Sequence, residues 1–367
     1  MRVAFVHDWL VSYRGGERVL EALCELYPDA PIYTLFYQPD SMPASFANRQ
    51  IITPAWSRAL LPLRKALLPV LPMMIESLPL ERYDLVISTS SCVAKGIVTA
   101  PDSFHLCYIH SPMRYIWDQR EHYLGSLRRI PIIREMVSCI SSFLRIWDTA
   151  SSTRVDRFIA NSTFVAKRVR KYYGRDAGVI HPPVDVEPFQ IAQAAPFAEN
   201  EPYFLAAGAF VSYKRFDLAI EACRLAKKKL VIAGSGPELQ ALQKMAKGRV
   251  IFDVRPSKER WTSLFQHAEA LLFPGVEDFG ITAIEAMAAG TPVIAFQAGG
   301  ALDFIQPNKT GLFFTEALPE SLAACLETFE KSHFSTVDLQ NFARDFTKGQ
   351  FLTRMKLELE QAVEVQT

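Results

Sequence analysis

Two glutamates separated by seven residues, Glu277 and Glu285, bracket a glycine-led helix start in the segment PGVEDFGITAIEAMAAGTPVIAF, Pro274 to Phe296. The run reads as a strand end, a loop carrying Glu277, a helix opening near Gly280 with Glu285 inside it, and a strand after Gly290. At about 1.5 Å per residue, Glu285 lies about 7 Å along that helix, so both carboxylates can line one elongated polar ligand. The amides of Gly280, Ile281 and Thr282 are then the unpaired donors of a helix N-terminus, a backbone site for a phosphate. Carboxylates accept hydrogen bonds from hydroxyls, so a phosphate flanked by two polyols, the form of a nucleotide sugar, would use all three features. Taken singly, the same glutamates would be a helix cap and a solvated helix residue.

Other chemistry-bearing segments are less specific. RVAFVHDWLVSYRGGERVLEAL gives a strand, a loop with Gly15 and Gly16, and a helix starting near Glu17; the paired glycines serve a structural turn or the close approach of backbone to ligand. CYIHSPMRYIWD sets His110 just past a short apolar strand. GSGPELQAL, Gly234 to Leu242, has Gly-x-Gly, but Leu239 stands where a dinucleotide fingerprint needs its third glycine. No two aspartates are separated by one residue, so the Asp-x-Asp metal pattern is absent.

The elements that must position these residues alternate short β-branched runs with helical periods: Val3–Val6, Leu85–Ser88, Phe158–Asn161, Phe204–Ala207, Leu230–Ala233, Ala270–Phe273 and Val293–Phe296. Buried parallel strands joined by helices read this way. Val186 to Pro202 breaks the rhythm with three prolines and no period, and is expected to be an interdomain linker. Two doubly wound α/β domains follow, 1–185 and 186–349, with a C-terminal helix at about 350–367 able to pack back on the first. Ligands of such sheets sit beyond the carboxyl ends of the strands, so two facing domains would enclose a central cleft.

Composition supports this frame. The 367 residues exceed one ordinary core, and a charge of +1 with 49% hydrophobic residues points to neither disorder nor nucleic-acid binding. The six cysteines, Cys24, Cys92, Cys107, Cys139, Cys223 and Cys325, form no Cys-x-x-Cys pair, which fits a reducing cytoplasmic compartment without a zinc site. Met1 to Leu10 is a strand interrupted by His7 and Asp8, not a secretory leader. Ala59 to Ile75 is the most apolar stretch, but Arg64, Lys65 and three prolines argue against a continuous membrane-spanning helix.

The E-x7-E pattern within EDFGITAIEAMAAGTPVIA resembles the signature of glycosyltransferase family 4, retaining enzymes of the GT-B fold with two Rossmann-like domains. The resemblance implies that Glu277 contacts the donor sugar and Glu285 holds the nucleotide ribose. It extends to AAGAFVSYKRFDLAIEA, where Lys214 matches the lysine that neutralises the donor diphosphate, with Arg215 beside it. The arginine common after the glycine of this segment is absent, Ala209 following Gly208, so the second cation is open: Arg215 is the candidate to replace it, or one of an ordinary solvated basic pair. The resemblance also assigns Gly15 and Gly16 to the donor phosphates and acceptor and His110 to the donor sugar; Arg114 is a candidate for a phosphate on the acceptor. It implies no metal and no cofactor, the departing diphosphate itself assisting deprotonation of the acceptor.

HDWL, RGGER, the HSPMRYIWD block and EDFGI look most like bacterial mannosyltransferases of surface-polysaccharide assembly, which implies GDP-mannose as donor and a glycan or polyprenyl-diphosphate-linked acceptor. A UDP-sugar donor, a nucleotide-sugar epimerase and a non-catalytic sugar-nucleotide-binding partner stay open. Between Pro112 and Arg175, thirteen Lys/Arg face five Asp/Glu, interleaved with Tyr115, Trp117, Tyr123, Phe143 and Trp147. With Trp56 to Ile75, this bias suggests peripheral contact with anionic lipid on the inner face of the plasma membrane, or an ordinary solvated basic face.

Overall fold

The computed structural model describes residues 1–64, 66–118, 131–197 and 201–364; Tyr123 and the rest of 119–130, Lys65, and 198–200 of the expected linker lie outside the described residues. The chain divides into two compact units, Met1–Pro183 together with the segment from Gly349 onward, and Val184–Lys348.

Among the described residues the first unit holds a seven-stranded, wholly parallel sheet: β1 (Val3–His7), β2 (Ile32–Thr34), β3 (Ile51–Ile52), β4 (Leu85–Ser90), β5 (Phe104–Ile109), β6 (Arg157–Ala160) and β7 (Ala177–Val179), in the order β3-β2-β1-β4-β5-β6-β7. VAFVH and LVISTS are buried at every position because helices cover both faces. On one face, Val19, Leu20 and Leu23 of the helix Gly15–Leu23 join Phe5, Ile87 and Tyr108. The C-terminal helix Lys348–Glu364 lays Phe351, Met355 and Leu359, four residues apart, on the same cluster. Phe351 meets Tyr108 edge-on at 5.7 Å, and Arg157 pairs with Glu358 at 2.9 Å. Full burial of each such apolar side chain is worth about 1.5–3 kcal/mol, which fixes this helix on the first unit. The other face packs Val6, Phe36 and Val86 against Leu71, Ile75 and Leu144.

The second unit holds a six-stranded parallel sheet among the described residues: β8 (Phe204–Ala209), β9 (Leu230–Ser235), β10 (Val250–Val254), β11 (Leu271–Phe273), β12 (Val293–Phe296) and β13 (Gly311–Phe314), in the order β10-β9-β8-β11-β12-β13. Both units are therefore Rossmann-like, and the strand order reverses between β1 and β4 in one and between β8 and β11 in the other. In each unit, the loops leaving the two strands at the reversal frame the ligand crevice of such a sheet.

The expected linker is folded in its described part. Val186 and Phe189 are buried in the second core, Phe189 edge-on to Phe265 at 5.6 Å. Gln266 Nε2 donates to the carbonyls of Phe189 and Ile191, and Ser263 Oγ to that of Ala194. The proline-broken sequence hides these anchoring contacts, which follow no period. Among the described residues no helix is long and apolar enough to cross a membrane, and the six cysteines are free.

Candidate active site

The second unit brings Lys214 and Glu277 together. Lys214 ends a short turn after β8, Glu277 stands in the loop after β11, and Lys214 Nζ donates to Glu277 Oε1 at 2.6 Å. The pair is largely buried, and the ammonium also lies 6.0 Å from the centre of the Phe273 ring. Gly275 makes the approach possible: a Cβ there would lie 2.3 Å from the Tyr213 carbonyl oxygen and 2.7 Å from Lys214 Cα.

Gly280 caps the helix Ile281–Ala288 with φ of +118°, where a Cβ would also strike the Phe273 ring at 2.6 Å. Only glycine fits both demands. The first amides of the helix have no partner within it, and Thr282 Oγ1 is buried without a hydrogen-bond partner. One turn on, Glu285 is buried and accepts from Trp261 Nε1 at 3.3 Å. A carboxylate–ammonium pair, a helix N-terminus and a second carboxylate thus stand in the second unit, Lys214 from the loop after β8 and the other groups from the run that follows β11.

Arg215, the neighbouring cation, makes a separate contact. Its backbone is left-handed, φ 53°, and its Nε donates to both carboxylate oxygens of Asp217 at 3.1 Å. Its charge is engaged by its own helix start, two residues on, whereas Lys214 reaches across to the loop after β11.

In the first unit, His110 follows β5 as expected, its amide donating to Ser90 O and its own carbonyl accepting from Asn161 Nδ2. Its Nε2 is buried without a hydrogen-bond partner. A Cβ on Gly16 would lie 3.4 Å from that nitrogen and 3.7 Å from His7 Cε1. Burial, then the charges of His7 and Arg114, push the His110 imidazole down to about 3 against the pull of Glu17, so it is neutral near pH 7. Gly15 and Gly16 open the helix Gly15–Leu23, two residues earlier than the start expected near Glu17. Arg114 lies half-buried in the turn that follows His110.

Sequence inspection missed a buried relay beside these residues. His7 Nδ1 shares a 2.6 Å hydrogen bond with Thr89 Oγ1, and His7 Nε2 lies 3.8 Å from Glu17 Oε1. Glu17 Oε2 accepts from the Arg14 amide, closing the glycine loop onto β1. Burial works to raise the Glu17 carboxyl, but the His7 ring and the backbone donors of Glu17 and Arg14 outweigh it and hold it below the usual range. Asp8 is wholly occupied in shaping the turn after β4, accepting from the amides of Ser91, Val93 and Ala94. The signal for the relay was the pairing of His7 with Thr89 across adjacent parallel strands, visible only once the register is known. Among the described residues no cluster of three His, Cys, Asp or Glu side chains is placed to hold a metal ion.

Comparison with known proteins matches residues 13–188 to the profile described as Glycosyltransferase Family 4 and residues 189–346 to that described as Glycosyl transferases group 1. An uncharacterized glycosyltransferase of Bacillus subtilis, YqgM, is 28% identical over 48% of this chain and 52% of its own. The alpha-1,3/1,6-mannosyltransferase ALG2 of Kluyveromyces lactis is 26% identical over 63% of this chain and 54% of its own. This chain therefore spans about half the length of these curated relatives. Among solved structures, Anabaena HepE in complex with UDP superposes with a TM-score of 0.69 at 16% identity, covering 98% of this chain and 100% of that one, which shows a shared fold.

Proposed function

We infer the reaction from one premise: this chain belongs with the glycosyltransferases that join a family 4 domain to a group 1 domain. It is proposed to be a retaining, metal-independent hexosyltransferase that moves mannose from GDP-mannose to a glycan or polyprenyl-diphosphate-linked glycan in bacterial surface-polysaccharide assembly. The observation that carries the donor chemistry is the Lys214–Glu277 pair beside the Gly280 helix start. The likeness to ALG2 mannosyltransferases supports the sugar. A lipid-linked acceptor would put the reaction at the inner face of the plasma membrane.

In this account the second unit holds the nucleotide diphosphate, Lys214 and the helix amides at the phosphates and Glu285 at the ribose. Glu277 holds the sugar; from the first unit, His110, Gly15 and Gly16 serve the donor and Arg114 an acceptor phosphate. The bond from the sugar C1 to the diphosphate oxygen breaks as the acceptor oxygen bonds to C1 on the same face, and the acceptor proton passes to the departing diphosphate. Lys214 and the helix start favour departure because they are fixed in place before charge develops. Arg215 would act on the diphosphate only by exchanging Asp217 for it.

A UDP-sugar donor is the second reading, favoured by the UDP complex of HepE. Incubation with GDP-mannose and a polyprenyl-diphosphate glycan in chelator is expected to give an acceptor-dependent product with the donor's anomeric configuration, read by proton NMR. Altered free sugar formed without acceptor would replace this reading with an epimerase.

A further inference from the structure

The helix Pro131–Ala150 carries two apolar stripes where a surface helix needs one. Val137 and Leu144 are buried, with Ser141 and Asp148, against the first unit. A second stripe, Met136, Cys139, Phe143, Ile146 and Ala150, is exposed, Met136 by 55%, Phe143 by 52% and Ile146 by 70%. The segment Trp56–Glu76 adds exposed Leu63 (56%) and Met73 (70%). The two elements adjoin: Trp147 Nε1 donates to Glu76 Oε1 at 2.8 Å, and Leu144 shares a cluster with Leu71 and Ile75.

We propose that this exposed stripe and the Leu63–Met73 segment form a face that seats the first unit on an anionic phospholipid bilayer. Charge favours that occupant. Arg58 is exposed and Arg64 and Arg145 are half-buried along the same elements, Arg134 and Glu135 offset each other, and Glu76 is occupied by Trp147 and Arg154, which leaves the balance positive. Cations beside exposed apolar side chains give the amphipathic pattern that enters the headgroup boundary. The proposal is independent of the donor reading, because nucleotide binding can be followed separately.

The test is co-sedimentation of the full chain with vesicles of phosphatidylcholine alone and of phosphatidylcholine with about one-third phosphatidylglycerol. Partition onto the anionic vesicles is expected to exceed that onto neutral ones by about tenfold and to fall with salt. The double variants Phe143→Ser with Ile146→Ser, and Arg58→Glu with Arg134→Glu, are each expected to lower it by about tenfold or more, with unchanged melting temperature and nucleotide binding. Wild-type protein that stays in the supernatant, or variants that sediment like wild type, would overturn the proposal. So would concentration-dependent dimerisation without vesicle binding that the Phe143 and Ile146 changes abolish, which would assign the stripe to a second copy.

Discussion

Lys214 Nζ stands 2.6 Å from Glu277 Oε1, and that contact joins the loops that leave β8 and β11, the two strands between which the second sheet reverses its order. The ammonium is largely buried and held by that carboxylate; in the proposed reaction a diphosphate would take up a cation already fixed in place.

Lys214→Ala is expected to weaken nucleoside-diphosphate binding by about tenfold to a hundredfold, the equivalent of one charged hydrogen bond of about 1.5–3 kcal/mol. Glu277→Ala should instead leave that affinity within about threefold while lowering turnover by about a hundredfold or more. Calorimetric titration with GDP alongside initial rates separates the two; equal, small effects would remove both from the site.

Glu285→Ala is expected to weaken GDP binding by about tenfold, the scale of one ribose hydrogen bond to a carboxylate. A deoxyribose analogue of the nucleotide should lose the same factor on wild-type protein and nothing further on the variant. Additive losses would place Glu285 away from the ribose.

Gly16→Ala would set a methyl group 3.4 Å from His110 Nε2. Turnover is expected to fall by about tenfold or more, and GDP affinity to fall by less, since Lys214 and Glu285 remain in place. Unchanged turnover would show that the space over Gly16 receives no substrate.

Acid is expected to destabilise the first unit before its carboxylates titrate. Burial pushes His105 down to about 4 and His110 to about 3, so in the folded chain both stay neutral where the unfolded chain, near the ordinary 6.5, takes up protons. A depressed histidine therefore contributes stability that is complete above about pH 6.5 and is lost as pH falls toward the folded value, at up to about 1.4 kcal/mol per pH unit for each. Denaturant midpoints between pH 7.5 and 4.5 should show this slope, and His105→Gln should flatten it even if it lowers the whole curve. A wild-type midpoint independent of pH over this range would show that the two histidines are not buried neutral.

The helix start at Gly280 was legible because the glycine, the helical run after it and the following strand lie in one continuous segment. The central strands were legible for a similar reason: a parallel strand covered on both faces is apolar along its whole length, as LVISTS and FLAAGA show apart from small polar side chains. Edge strands Ile51–Ile52 and Ala177–Val179 were not, being too short to carry a period. The relay from Thr89 through His7 to Glu17 was illegible because parallel pairing brings together positions 82 residues apart. Arg215 reads as a candidate phosphate cation from its neighbour Lys214; its left-handed backbone and its contact with Asp217 were not legible, because neither leaves a mark in the pattern of the segment.

The central claim is that the second unit binds a nucleoside diphosphate through Lys214 and the Gly280 helix start. Calorimetric titration of GDP, UDP and ADP into the purified chain in chelator, repeated on Lys214→Ala, tests it most directly. The account expects one-to-one binding with GDP preferred, weakened by about tenfold or more in the variant. A preference for UDP would keep the site and replace the sugar donor; no binding of any of the three, or binding indifferent to Lys214, would contradict the account.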